Sequence, residues 1–256
     1  MKALTSFFRK ELLEYFRSGR LLLILLIFCA FGVISPVITK LTPLLLEKFG
    51  DSLSTGGIVI DDITASALMS WGEFFESVGM ALIAFVLVCG GSFTREYGKG
   101  TLQLVLTKGL ARYKVLLAKT LTMLVLWCVG YWLCFGVTYG LNACLFSGES
   151  VAALAPVAVS WWLFGIFVVA LTVFFSVVAN NYGIVLLGVG GSVFAMYIVS
   201  LIPRIAKYLP TALMSGVGLL SGVQKADELV PAIIITVALS IALVAVSVPI
   251  FNKKQL

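Results

Sequence analysis

From Ser150 through Pro203 the chain carries no ionisable acid or base other than tyrosine. One helix of that length would extend roughly 80 Å at about 1.5 Å per residue, far beyond a hydrocarbon core of about 30 Å. The stretch must hold two membrane spans, and the polar turn Asn180-Asn181-Tyr182-Gly183 is where it breaks. The rest of the chain is of the same kind: 61% is apolar and only 12% charged, against about a quarter charged in soluble domains. A soluble fold of 256 residues could not hide that much apolar surface, so lipid is its solvent.

The apolar runs predict an all-α membrane protein forming one transmembrane domain, with spans at about 21–38, 73–94, 115–146, 157–179, 183–202 and 232–251. Residues 41–49 prolong the first helix beyond the bilayer. Gly136 and Gly140 form a small-xxx-small pair suited to close helix contact. Before the first span, Leu4, Phe8, Leu12 and Phe16 recur every four residues, with Arg9, Lys10 and Arg17 largely off that face. This is the pattern of a helix over residues 1–20 lying in the membrane interface. Residues 203–231 form an outer excursion whose apolar middle, Ala212 to Val223, is too short to span and reads as a re-entrant or interfacial hairpin.

Six spans put both termini on one side. Of the 18 Lys and Arg, thirteen lie in residues 1–20, in the loop between the second and third spans, or at Lys253 and Lys254. Five lie on the other side. This bias places the termini and the loop in the cytoplasm of a cell-membrane protein. It also accounts for the net charge of +6, so no nucleic-acid partner is implied.

Several chemistries are missing. There is no histidine, hence no ordinary general base near neutral pH. The five cysteines show no CxxC spacing and read as packing residues. No phosphate-cradling Gly-x-x-x-x-Gly-Lys loop occurs. No catalytic, cofactor-binding or metal residue is assigned, and an enzyme is not expected. No acid or base is expected deep in a span: Glu73, Glu76 and Lys119 are read as lying near the interfaces, snorkelling or facing water.

The long polar interruption at Arg95 to Lys119 carries the remaining signal. Its loop reads Glu-x-x-x-Gly-Thr-Leu-x-Leu-x-Leu-Thr at Glu96, Gly100, Thr101, Leu102, Leu104, Leu106 and Thr107, followed by Lys108, Arg112 and Lys119. With the interfacial helix and six spans, this resembles the permease subunits of type-2 ABC exporters. It departs at Gly109, where many members have proline. The resemblance implies that Gly100 to Lys108 is a coupling helix within a cytoplasmic loop at 95–114, docking on a separate ABC ATPase. Glu96, Gly100, Thr101, Leu102, Leu104, Leu106, Lys108 and Arg112 would serve that coupling. Residues 1–20 would be an elbow helix, with Phe8, Leu12, Phe16 and Arg17 on it. A second permease chain, identical or homologous, would pair with this one, and substrate would pass along their interface, beside the second and fifth spans. ATP and Mg would belong to the partner, with no cofactor in this chain.

The expected function is export of a hydrophobic or amphipathic cargo, an antimicrobial peptide or lipophilic drug. The rivals are a secondary transporter or channel, which would work without ATP, and a membrane scaffold that transports nothing.

Overall fold

The computed structural model describes residues 2–54, 65–99, 111–147, 149, 151, 153–215, 217–222 and 226–254. Among these, every regular element is helical. Helix α1 (Lys2–Arg17) turns at Ser18-Gly19 into α2 (Arg20–Ser54). Gly19 takes the left-handed conformation, φ +72°, which closes α1 at a cost only glycine avoids. Then come α3 (Ala67–Cys89), the short α4 (Thr94–Lys99), α5 (Arg112–Leu145), α6 (Leu154–Val178) and α7 (Tyr182–Val199). The chain ends in α8 (Pro203–Ala206), α9 (Val217–Leu220) and α10 (Val230–Lys253), with single 3-10 turns at Pro210–Met214 and Ala226–Leu229. Among the described residues, six helices are long and apolar enough to cross a membrane.

The second span starts at Ala67 rather than at Glu73. Ser66 caps it, its hydroxyl accepting from the Met69 amide at 3.3 Å. The cap overrides the acids, so Glu73 and Glu76 lie inside the helix. Helix α2 runs on past residues 41–49 to Ser54. In the outer excursion Pro210, Thr211, Leu213, Leu219 and Leu220 are buried. The 3-10 turn packs on α6, α7 and α10, and α9 on α3 and α6.

Helix α2 packs between α3 and α5, α6 packs on α10 and α5, and α7 leans mainly on α6. Pro36 lies inside α2. Its missing N–H leaves the Gly32 carbonyl without its helical donor. The Thr138 hydroxyl of α5 donates to that carbonyl at 2.9 Å. The same proton is shared with Cys134 O of its own helix at 3.0 Å, and the arm to Gly32 stitches the two spans.

The close approaches within this chain are not at Gly136 and Gly140. A methyl group on either would meet nothing within 4 Å. Among the described glycines the tightest approach is at Gly165 of α6, where a Cβ would sit 2.0 Å from the Trp127 indole. Trp127 is fully buried and donates to Trp162 O at 3.1 Å. Next to it, Tyr131 donates to Ala158 O at 2.7 Å. These bonds hold the indole in place, so it has no room to yield. Gly165→Ala is expected to destabilise the chain by about 1–3 kcal/mol, read as a lower midpoint in thermal unfolding in detergent. Gly136→Ala and Gly140→Ala should leave that midpoint unchanged.

Candidate transmission site

Helix α1 and the end of α10 lie at one end of the bundle, with the ends of α4 and α5 that flank residues 100–110. Glu11 of α1, Glu96 of α4 and Lys119 of α5 meet there in the interior. Glu11 is 2% exposed and Lys119 1%. The Lys119 ammonium lies 2.9 Å from Glu11 Oε2 and 3.1 Å from Glu96 Oε1, and 5.4 Å from the centre of the buried Phe93 ring. Lys10 reaches in from the rim to Glu11 Oε1 at 3.1 Å, Glu14 Oε2 at 2.9 Å and Glu96 Oε1 at 3.3 Å. Lys119 therefore does not snorkel to water. Its charge is met inside the protein, because Glu11 turns the protein-facing side of α1 towards it.

That side of α1 is Phe7, Glu11 and Tyr15, all buried. Of the neighbouring stripe, Leu4, Phe8 and Leu12 are half-buried, and Phe16 is 69% exposed. Arg17 is exposed as well. In a chain dissolved in lipid, a strongly apolar stripe need not mark the packed face.

Three carboxylates, Glu11, Glu14 and Glu96, bring oxygens within 4.8 Å of one another. The counter-charges are the chain's own Lys10 and Lys119. At the rim, burial alone would lower the pKa of Lys10. Its hydrogen bond to Glu14 and the charges of Glu11 and Glu96 outweigh that and raise it. Burial acts to raise Glu14, but the bond and charge of Lys10 lower it. The stabilisation from Glu14 is lost as pH falls through its lowered value, and that from Lys10 as pH rises above the ordinary 10.5 and through its raised value. Around neutrality the pair is intact, and solvent screens it because both side chains are nearly half exposed.

The other flank of residues 100–110 is fastened as firmly. Arg112 donates through Nη1 to the Phe251 and Asn252 carbonyls, each at 3.3 Å, and to that of Lys254. These are the open carbonyls at the end of α10, where a cation is favoured. Lys254 donates in turn to Val177 O at 2.7 Å and Ala179 O at 3.0 Å, at the end of α6. Its ammonium also lies 4.3 Å from the Tyr97 ring centre, and burial lowers its pKa. Glu96 and Arg112 thus bind residues of this chain. Gly100, Thr101, Leu102, Leu104, Leu106 and Lys108 lie outside the described residues.

Sequence reasoning missed Glu11, Lys10 and Lys254. Glu11 stood among the cations of residues 1–20, and only its spacing of four from Phe7 and Tyr15 marked it as inward-facing. A profile of ABC-2 family transporter proteins matches residues 6–256. The chain belongs to the ABC-2 transporter family. It is a multi-pass membrane subunit of an ABC transporter. It is also similar to the uncharacterized transmembrane protein YxlG of Bacillus subtilis (strain 168), with 25% identity over 219 residues, covering 82% of this chain and 81% of that protein.

In this ABC-2 chain, Lys119→Met would strand Glu11 and part of Glu96 without their buried counter-ion. The expected loss is about 3–5 kcal/mol, seen as a lower unfolding midpoint. The double variant Glu11→Gln/Lys119→Met should lose clearly less than the sum of the two single changes. Additive losses would mean the pair is not coupled.

Proposed function

We propose that this chain is the permease of an exporter that moves a hydrophobic or amphipathic cargo out of the cell, driven by a separate ABC ATPase. The cargo favoured is an antimicrobial peptide or a lipophilic drug. ATP and Mg act in the partner, and a second permease chain, identical or homologous, completes the passage. The termini and residues 100–110 face the cytoplasm, in keeping with the excess of Lys and Arg there.

One observation carries this reading. The two ends of the 100–110 segment are tied by Glu96 and Arg112 to α1, α5 and α10, and through Lys254 to α6. A displacement imposed on that segment reaches the spans through buried charge pairs and capped helix ends. In this reading Leu102 and Leu106, four apart, present an apolar ridge to a groove in the ATPase, with Lys99 and Lys108 setting its orientation. Glu96 and Arg112 act behind it as positioning residues.

The test is co-purification with candidate ATPase subunits. Wild type should retain an ATPase, and Leu102→Asp/Leu106→Asp should lose it while the membrane protein stays monodisperse. Retention by the double variant, or no ATPase bound to wild type, would overturn the coupling assignment.

A further inference from the structure

Helix α3 carries two acids within the hydrocarbon half-thickness, Glu73 at its edge and Glu76 deeper, where lipid-facing acids are costly. The candidate span Ala67–Tyr97, made of α3, the turn at 90–93 and the start of α4, has 31 residues, about 46 Å at helical rise. Its midpoint is near Leu82. Glu76 lies about 9 Å from that midpoint along the axis, inside the half-thickness of about 15 Å. It is exposed on the chain's surface. Among the described residues it joins no ion pair, since all of those belong to the Glu11 cluster.

Two hollows meet at Glu76. One is an open groove of about 530 Å³ between α3 and α7, walled by Met80, Ile83, Leu87, Val193 and Phe194. Among the described residues Glu76 is the one carboxylate or cation in its lining. The second, about 790 Å³, runs towards the outer turns, where Lys207 and Glu228 line it. Neither of these lies within ion-pair distance of Glu76. Glu76, Met80, Ile83 and Leu87 form one stripe along α3, and Met80 and Ile83 are about two-thirds exposed, at 65% and 63%. An apolar trough with a single unmatched negative charge at one end has the shape and charge of an amphipath bearing one positive head.

We propose that the α3–α7 groove binds lipophilic cations, the Glu76 carboxylate taking the cationic head and the Met80–Leu87 wall the apolar body. This deepens the exporter reading and, as a statement about cargo, rests on it. The carboxylate selects charge because an ammonium, phosphonium or guanidinium group repays its desolvation, whereas a neutral body of the same shape leaves it unmatched. Lipid chains are apolar occupants that would not draw on the charge.

The experiment measures equilibrium binding of radiolabelled tetraphenylphosphonium and of neutral triphenylphosphine oxide to the full purified chain in detergent. No ATPase is present. Wild type should bind the cation more tightly than the oxide. Glu76→Gln should weaken the cation by about tenfold or more and leave the oxide unchanged. Glu76→Asp should restore most of the cation's affinity, and Glu73→Gln, outside the groove lining, should behave as wild type. All variants should elute as wild type on size exclusion. The proposal is overturned if Glu76→Gln binds the cation as wild type does, or if both ligands weaken together. It also fails if wild type does not favour the cation, as with a face that meets only lipid. Glu76-dependent binding without ATPase co-purification would sink the exporter reading and leave the groove assignment standing.

Discussion

A lysine with 1% of its surface exposed, in a protein whose solvent is lipid, constrains everything near it. Its ammonium cannot be left unpaired there without a penalty of several kcal/mol. The bonds of Lys119 to Glu11 and Glu96 therefore fix where α1 lies against α5 and where the chain leaves α3. Glu96 shares its Oε1 between Lys119 and Lys10, and Lys10 closes the rim. No single member can move far without uncovering another's charge. The arrangement joins three elements that are remote in sequence, and it does so beside the loop the family resemblance singles out.

The second fastening works differently. Arg112 and Lys254 do not pair with acids. They bind open carbonyls at helix ends, where the backbone supplies partial negative charge. One end of the bundle is thus held by charge pairs and by capped termini together, and α1, α4, α5, α6 and α10 all meet there.

Much of the fold was legible because lipid makes length and apolarity decisive. The charge-free run from Ser150 to Pro203 demanded two helices, and Asn180-Asn181 divided them as read. The beginning of α3 was misplaced because acids at Glu73 and Glu76 looked like an interface, whereas Ser66 offers the backbone a cap. The packed face of α1 was not read at all, for a related reason: in a membrane, hydrophobicity does not separate the face that meets protein from the face that meets lipid. The Glu11–Lys119 pair spans 108 positions, so no local periodicity announces it. Phe8, Leu12, Phe16 and Arg17 were read from pattern, while Glu11 owes its place to a partner from another span.

The Thr138 hydroxyl on the Gly32 carbonyl bears on how the chain is assembled. Gly32 lies about 18 Å along α2 from its first residue, well inside the bilayer. Until α5 arrives, the carbonyl that Pro36 leaves open has no donor in the hydrocarbon, and such a group costs several kcal/mol. The first span is thus inserted incomplete and finished only by the third.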